Sequence, residues 1–299
     1  MNFPHFPSLF RTLAVTAFFF SFIPSFAGHN HPPPHRQITL DTVTLSTGIT
    51  MEYAEKGQGN GHVVIFLHGY LDSWFSFSTI MDGLPNRYHS YSLSQRGFGE
   101  SDTPLTGYDI QSYADDVIAF LDHFNIHRVS LVGHSMGSVI AQRIAIDHPD
   151  RIKELVLVGS GVDMTTNAVL QAFEEIAASL SDPIDQDFID ELMAGIAVNP
   201  IDPEFLEKLN AETSKVPAHV WQEALAGLQA VNYADELHLI SAPTLIIWGT
   251  ADEIFLYEEQ TFLNDTIPNS SLLLYEGSGH GVQWEFPQQF TEDLAAFLR

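Results

Sequence analysis

Val129-Ser130-Leu131-Val132-Gly133-His134-Ser135-Met136-Gly137-Ser138-Val139-Ile140-Ala141-Gln142-Arg143-Ile144-Ala145 is the stretch that decides the fold. Its apolar opening reads as a strand and the residues from Ser138 onward as a helix, so only residues 133–137 remain to turn the chain. A turn that tight holds its central residue in a strained conformation, and small residues two positions either side let strand and helix approach closely. Gly133 and Gly137 supply that clearance, and the Ser135 hydroxyl is lifted off the strand end. The helix N-terminus behind it favours negative charge developing nearby. Ser135 is therefore a candidate nucleophile. A serine here also fits a helix N-cap, and the pentapeptide alone leaves both roles open.

Two later apolar runs end in polar residues. Thr244-Leu245-Ile246-Ile247-Trp248 leads to Gly249-Thr250-Ala251-Asp252, and Ser271-Leu272-Leu273-Leu274-Tyr275 leads to Gly277-Ser278-Gly279-His280. If the strands lie side by side, Asp252 and His280 reach the edge that carries Ser135. A serine hydroxyl is a poor nucleophile at neutral pH and needs an imidazole to take its proton, the role expected of His280. A carboxylate on the other ring nitrogen fixes the tautomer and stabilises the imidazolium, the role expected of Asp252. A fourth signal lies upstream, where Val63-Val64-Ile65-Phe66-Leu67 runs into His68-Gly69-Tyr70-Leu71-Asp72-Ser73.

Together these four motifs resemble the α/β-hydrolase superfamily, from about Ile38 to the C-terminus, including its chain order of Ser, Asp, His. The resemblance implies a mostly parallel eight-stranded sheet flanked by helices. It also implies an oxyanion hole made by the backbone amides of Tyr70 and Met136, with the Tyr70 and Met136 side chains shaping the pocket. His68, Gly69, Gly133 and Gly137 become structural turn positions, and neither a cofactor nor a metal is required. Asp-nucleophile relatives, which make alkyl-ester intermediates, are disfavoured by a serine at position 135.

Neighbouring residues compete for these roles. His134 is expected to point into the packing and His68 to brace its loop. Asp163, after the run Glu154-Leu155-Val156-Leu157-Val158, is an alternative triad acid, since some relatives place it there. Glu253 is expected to cap a helix. In Ser92-Leu93-Ser94-Gln95-Arg96-Gly97-Phe98-Gly99-Glu100-Ser101-Asp102, the family's usual acidic residue is replaced by Ser94. A local Asp–Arg pair is therefore not expected, and Arg96 is expected to bind backbone carbonyls near the nucleophile turn.

Apolar runs alternate with helix-period stretches, the pattern of strands with crossover helices. Residues 37–45 and 49–55 open it as two antiparallel strands. The alternation stops at about Val162 and resumes after Tyr233, and helical stretches at 168–180, 188–197, 203–209 and 220–228 fill the gap. This organisation gives a core of residues 37–161 and 234–299 with a helical cap at 162–233. In the family such a cap covers the nucleophile and lines the substrate pocket. At 299 residues and 45% hydrophobic content, the chain suits one such domain with an insertion.

Before it, Arg11, the apolar run 13–23, Pro24 and Ser25-Phe26-Ala27 read as a signal peptide cut after residue 27; the run is short for a membrane span. Residues 28–36, rich in His and Pro, read as a flexible leader with at most weak metal affinity. The expected location is secreted or periplasmic, with no stable membrane anchor after cleavage. With no cysteine there are no disulfides. A net charge of -26 with 12 Lys and Arg in total argues against nucleic acid and anionic membranes as partners. The expected partner is a small-molecule ester or lactone, apolar and small to medium in size, cleaved through an acyl-serine. The same triad also serves C–C bond hydrolases, cofactor-free haloperoxidases or perhydrolases, and slow-turnover ligand receptors.

Overall fold

Strands β1 (Thr39–Thr44), β2 (Thr50–Lys56), β3 (His62–Leu67), β4 (Tyr88–Leu93), β5 (Val129–His134), β6 (Ile152–Val158), β7 (Thr244–Gly249) and β8 (Ser270–Tyr275) form a single sheet in the computed structural model. The structure describes residues 37–57, 59 and 61–298, so the signal peptide and leader expected at 1–27 and 28–36 lie outside the described residues. Strand order is β1-β2-β4-β3-β5-β6-β7-β8. β2 runs antiparallel to both β1 and β4, and the remaining pairings are parallel, so the sheet has the architecture expected of it.

Parallel strands covered on both faces read as unbroken apolar runs, and β5 is buried along its whole length. Alternate residues feed opposite faces. Ile65, Leu67, Leu131, Leu155 and Ile246 join one core, together with Val117 of α2 (Ile110–His123) and Ile140 of α3 (Met136–Asp147). Val64, Phe66, Val132, Val156 and Ile247 join the other, against Ile80 of α1 (Ser78–Gly83) and Phe290 of a C-terminal helix at Pro287–Phe297.

Between β6 and β7 lie α4 (Ala168–Ser179), α5 (Gln186–Ala194), α6 (Pro203–Thr213) and α7 (Ala218–Gln229). Their starts follow from local chemistry. Asn167, Asp185 and Asp202 each accept hydrogen bonds from amides of the first turn, and Pro203 opens α6. α6 continues to Thr213, beyond the expected end at Leu209, because Thr213 is buried and its hydroxyl donates to Leu71 O on the core at 2.9 Å. After β7 come α8 (Tyr257–Thr266), then α9 (Val282–Glu285) and α10 (Pro287–Phe297).

Topology also places the site. The chain leaves β3 for β4 on one side and β5 for β6 on the other, so the strand order reverses between β3 and β5. Open α/β sheets bind ligands in the crevice at the carboxyl ends of strands at such a reversal. The loops that start at His68 and Ser135 both open into it.

Two corrections concern supporting residues. Arg96 does find a carboxylate, across the fold rather than locally. Its Nε and Nη2 donate to Asp116 of α2 at 2.6 and 2.7 Å, and Nη1 donates to Gly107 O at 2.8 Å, away from the nucleophile turn. Asp116 is 1% and Arg96 8% exposed, so removing one partner leaves the other buried without compensation. Asp116→Ala is expected to cost about 3 to 5 kcal/mol in a urea titration, far beyond a surface-pair loss. Glu253, expected to cap a helix, stands exposed ahead of α8; the helix entry is closed by Glu259, which accepts from the Leu256 amide at 3.1 Å.

Candidate active site

Ser135 adopts φ 52° and ψ -122°, a left-handed conformation that costs a non-glycine residue of order 1–3 kcal/mol. It occupies the N-cap position of α3, yet its side chain makes no capping hydrogen bond. Within residues 129–142 every residue is buried except Ser135, which is partly exposed. The turn therefore spends strain to present one hydroxyl. Ser135 N donates to Val158 O at 2.9 Å, and Ser135 O accepts from the Ser138 amide at 2.8 Å and hydroxyl at 2.6 Å, which locks the backbone.

The flanking glycines are required by contact distance. A Cβ on Gly133 would fall 2.3 Å from Gly137 O, and one on Gly137 would fall 2.2 Å from Leu67 O. Strand β5, helix α3 and the end of β3 thus meet backbone to backbone. Met136 is the first residue of α3, so its N–H is among the groups that lack an intrahelical partner and face outward at the helix N-terminus. Tyr70 lies on the facing loop, in a turn over residues 69–72 closed by Asp72 N donating to Gly69 O at 3.3 Å, with Leu71 at φ 70°.

β7 and β8 deliver Asp252 and His280 to the same edge. His280 Nδ1 lies 2.8 Å from Asp252 Oδ2, and both residues are about 95% buried, with 4% and 5% exposure. Asp252 Oδ1 also accepts the amides of Ile254 and Phe255, at 2.8 and 3.3 Å, which fixes its carboxylate plane. With Nδ1–H donated to Asp252, Nε2 of His280 is the ring nitrogen left to accept a proton. Gly159, at φ 49° after β6, makes room for this pair: a Cβ there would fall 2.9 Å from His280 Nδ1. Asp163, the alternative acid, is otherwise engaged, with Oδ1 accepting the Thr165 amide at 3.0 Å and hydroxyl at 2.5 Å.

The other two histidines are neutral and structural. Gln95 N donates to His68 Nε2 at 3.0 Å, so Nδ1 carries the proton and donates to Gly69 O at 2.7 Å. His68 thereby braces the loop that presents Tyr70, and burial pushes its pKa down to about 4. His134 donates Nε2–H to His280 O at 3.0 Å; burial, then the adjacent His280, hold its pKa well below the ordinary value.

Asp72, on the Tyr70 loop and 2% exposed, carries the opposite perturbation: burial raises its pKa to about 8 despite hydrogen bonds from Ser76 and Ser73. These shifts each contribute to the pH dependence of stability. Below pH 6.5 the unfolded chain protonates both histidines while the fold keeps them neutral, so each lowers stability by about 1.4 kcal/mol per pH unit of acidification. Asp72 keeps its proton in the fold up to about pH 8, whereas the unfolded chain loses it near 3.8, so its contribution falls as pH rises through that window. Of these three groups, the two histidines outweigh Asp72 below 6.5, and only Asp72 contributes above it. The melting midpoint is expected to peak near pH 6.5 and to decline toward pH 8, with Asp72→Asn removing the alkaline decline.

Aromatic residues join the Tyr70 loop to the helical insertion. The Tyr70 hydroxyl donates to Trp221 O of α7 at 2.5 Å, and its ring meets Phe173 of α4 and Trp221 edge-on, each with centroids 6.3 Å away. The Tyr70 loop and the helical insertion are therefore in direct contact. A cavity of about 470 Å³ opens elsewhere, at the start of β3 and β4, lined by His89, Tyr91, Phe124 and Arg128. Of its lining side chains, His89 pairs with Glu55 at 2.6 Å and Arg128 donates to Ile152 O, and the cavity shares no residue with the site. Among the described residues no cluster of three or more His, Cys, Asp or Glu is placed to hold a metal ion.

Sequence reasoning passed over Gly159, the protonated Asp72 and Glu285, described below. A glycine directly after the β6 run was the available signal for the first. The fold has counterparts among known proteins. The chain matches the alpha/beta hydrolase fold family over residues 62–287. It is 29% identical over 280 residues to a non-heme chloroperoxidase of Streptomyces lividans, covering 87% of this chain and 100% of that one. It is 27% identical over 285 residues to a 2-hydroxymuconate semialdehyde hydrolase of Pseudomonas sp. strain CF600, covering 91% and 96%. The solved structure of Est816, an N-acyl homoserine lactone degrading enzyme, superposes with a TM-score of 0.73 at 30% identity, covering 86% of this chain and 100% of that one.

Proposed function

Because the chain belongs to the alpha/beta hydrolase fold family, we propose that it is an exported serine hydrolase that cleaves a carboxylic ester or lactone of an apolar, small to medium substrate. Its relatives include a non-heme chloroperoxidase, a 2-hydroxymuconate semialdehyde hydrolase and a 3-oxoadipate enol-lactonase, and an esterase from Exiguobacterium antarcticum shares the fold. The observation that carries the serine-hydrolase reading is Ser135, strained, uncapped and partly exposed on the same sheet edge that receives the Asp252–His280 pair.

In this reading the Ser135 hydroxyl attacks the carbonyl carbon as His280 Nε2 takes its proton. Asp252 stabilises the imidazolium through Nδ1–H, and the amides of Tyr70 and Met136 donate to the oxyanion. His280 then protonates the leaving alcohol, and an acyl-serine remains. Water, deprotonated by the same nitrogen, releases the acid and regenerates Ser135. The partly exposed Tyr70 and Phe173 rings, backed by the buried Trp221, support an apolar substrate, because they offer aromatic surface rather than charged partners beside the loop that meets Ser135.

A time course of the purified mature chain with p-nitrophenyl esters of graded acyl length tests this directly. Hydrolysis that falls off beyond a limiting chain length is the expected result. Absence of turnover at every length, with turnover of a vinylogous diketone, would move the assignment to C–C cleavage. Export is supported by the reading of residues 1–27, and N-terminal sequencing of the protein recovered outside the cytoplasm should start at Gly28.

A further inference from the structure

Glu285, the last residue of α9, lies outside the triad, yet its carboxylate joins two segments that the chain brings together from far apart. One is the turn that ends in His280: Gly279 N donates to Glu285 Oε1 at 2.8 Å. The other is the insertion segment at residues 196–199: Val198 N donates to Oε1 at 3.3 Å, Asn199 N to Oε2 at 2.9 Å, and Asn199 Nδ2 also to Oε2. Direct bonds run between the same two segments, from His280 N to Ile196 O at 3.1 Å and from Asn199 Nδ2 to Gly277 O at 2.8 Å. Packing is equally close, for a Cβ on Gly279 would fall 3.0 Å from Ile196 O.

We propose that Glu285 is a positioning residue that holds His280 and the insertion segment 196–199 as one unit, so that seating of the helical insertion and placement of the base are a single event. The inference rests on His280 being the base in the reading above. A carboxylate suits the task because it is acceptor-only with room for several donors, and three backbone amides in irregular structure have no ladder to join. A carboxamide of the same shape has one acceptor oxygen and turns an NH₂ toward the remaining donors. Movement of the insertion has a route to this clamp, since residues 196–199 follow α5, whose Phe188 ring packs on Trp221 of α7 with centroids 6.0 Å apart.

The test uses the full chain, wild type, Glu285→Gln and Asn199→Asp, with melting curves, steady-state kinetics on p-nitrophenyl butyrate and the rate of Ser135 phosphonylation by a fluorophosphonate. Displacing the base by a fraction of an ångström in a folded Glu285→Gln enzyme should lower kcat about 10- to 100-fold with KM within about twofold, and slow phosphonylation in the same proportion. Asn199→Asp sets a second carboxylate against Glu285 and should move both rates in the same direction. A folded Glu285→Gln protein with wild-type kcat and phosphonylation rate overturns the proposal. If Glu285→Gln does not fold, wild-type rates in Asn199→Asp overturn it instead. A wild-type chain that neither turns over esters nor labels at Ser135 is a different failure: it removes the catalytic reading itself, and the proposal with it.

Discussion

Ser135→Ala is expected to lower kcat for p-nitrophenyl esters by roughly 10⁶-fold while the melting temperature stays within a few degrees of wild type. The size of the loss follows from the division of labour at the site. Without the hydroxyl no acyl-enzyme forms, and the remaining imidazole and amides provide only residual catalysis by water. Stability is spared because the Ser135 side chain makes no capping bond, while its backbone amide and carbonyl, which alanine keeps, make the bonds to Val158 and Ser138. Alanine at φ 52° is strained about as much as serine, so the turn persists. If the variant retained more than about a tenth of wild-type turnover, the hydroxyl of Ser135 could not be the attacking group.

The elements legible in the sequence are those built from local pattern. Runs such as Val63 to Leu67 and Thr244 to Trp248 read as buried parallel strands because both faces of the sheet are covered, leaving no polar alternation. Asp252 and His280 were legible because each follows such a run, and parallel strands deliver their carboxyl ends to one edge. What escaped depends on partners distant in sequence. Arg96 finds Asp116 one helix later, and no spacing rule connects them. Glu285 looks like an ordinary residue in a short helix until the insertion folds back and presents the amides of Val198 and Asn199 to it. Nothing local marks Asp72 in the run after β3, and only the packing around it buries the carboxyl and pushes its pKa up to about 8. Conversely, the local rule misplaced a cap on Glu253, because nothing in the sequence tells where α8 begins.

Asp252→Asn is expected to lower kcat about 10⁴-fold with the fold retained, whereas Asp163→Asn should change it less than about tenfold. The carboxylate of Asp252 does two things at once: Oδ1 accepts the Ile254 and Phe255 amides, and Oδ2 accepts His280 Nδ1–H. An asparagine of the same shape has a single acceptor oxygen. If that oxygen keeps the turn amides, the NH₂ group faces His280 Nδ1 and forces the ring proton onto Nε2, where it blocks removal of the Ser135 proton. If the amide flips to restore the histidine tautomer, two buried backbone donors confront an NH₂ group, at a cost of about 1 to 3 kcal/mol each, so the blocked arrangement dominates. Asp163 has no comparable leverage, since its acceptor oxygen serves only Thr165. Steady-state kinetics on the two variants side by side decide the matter. A severe loss in Asp163→Asn beside a mild one in Asp252→Asn would move the triad acid to the end of β6.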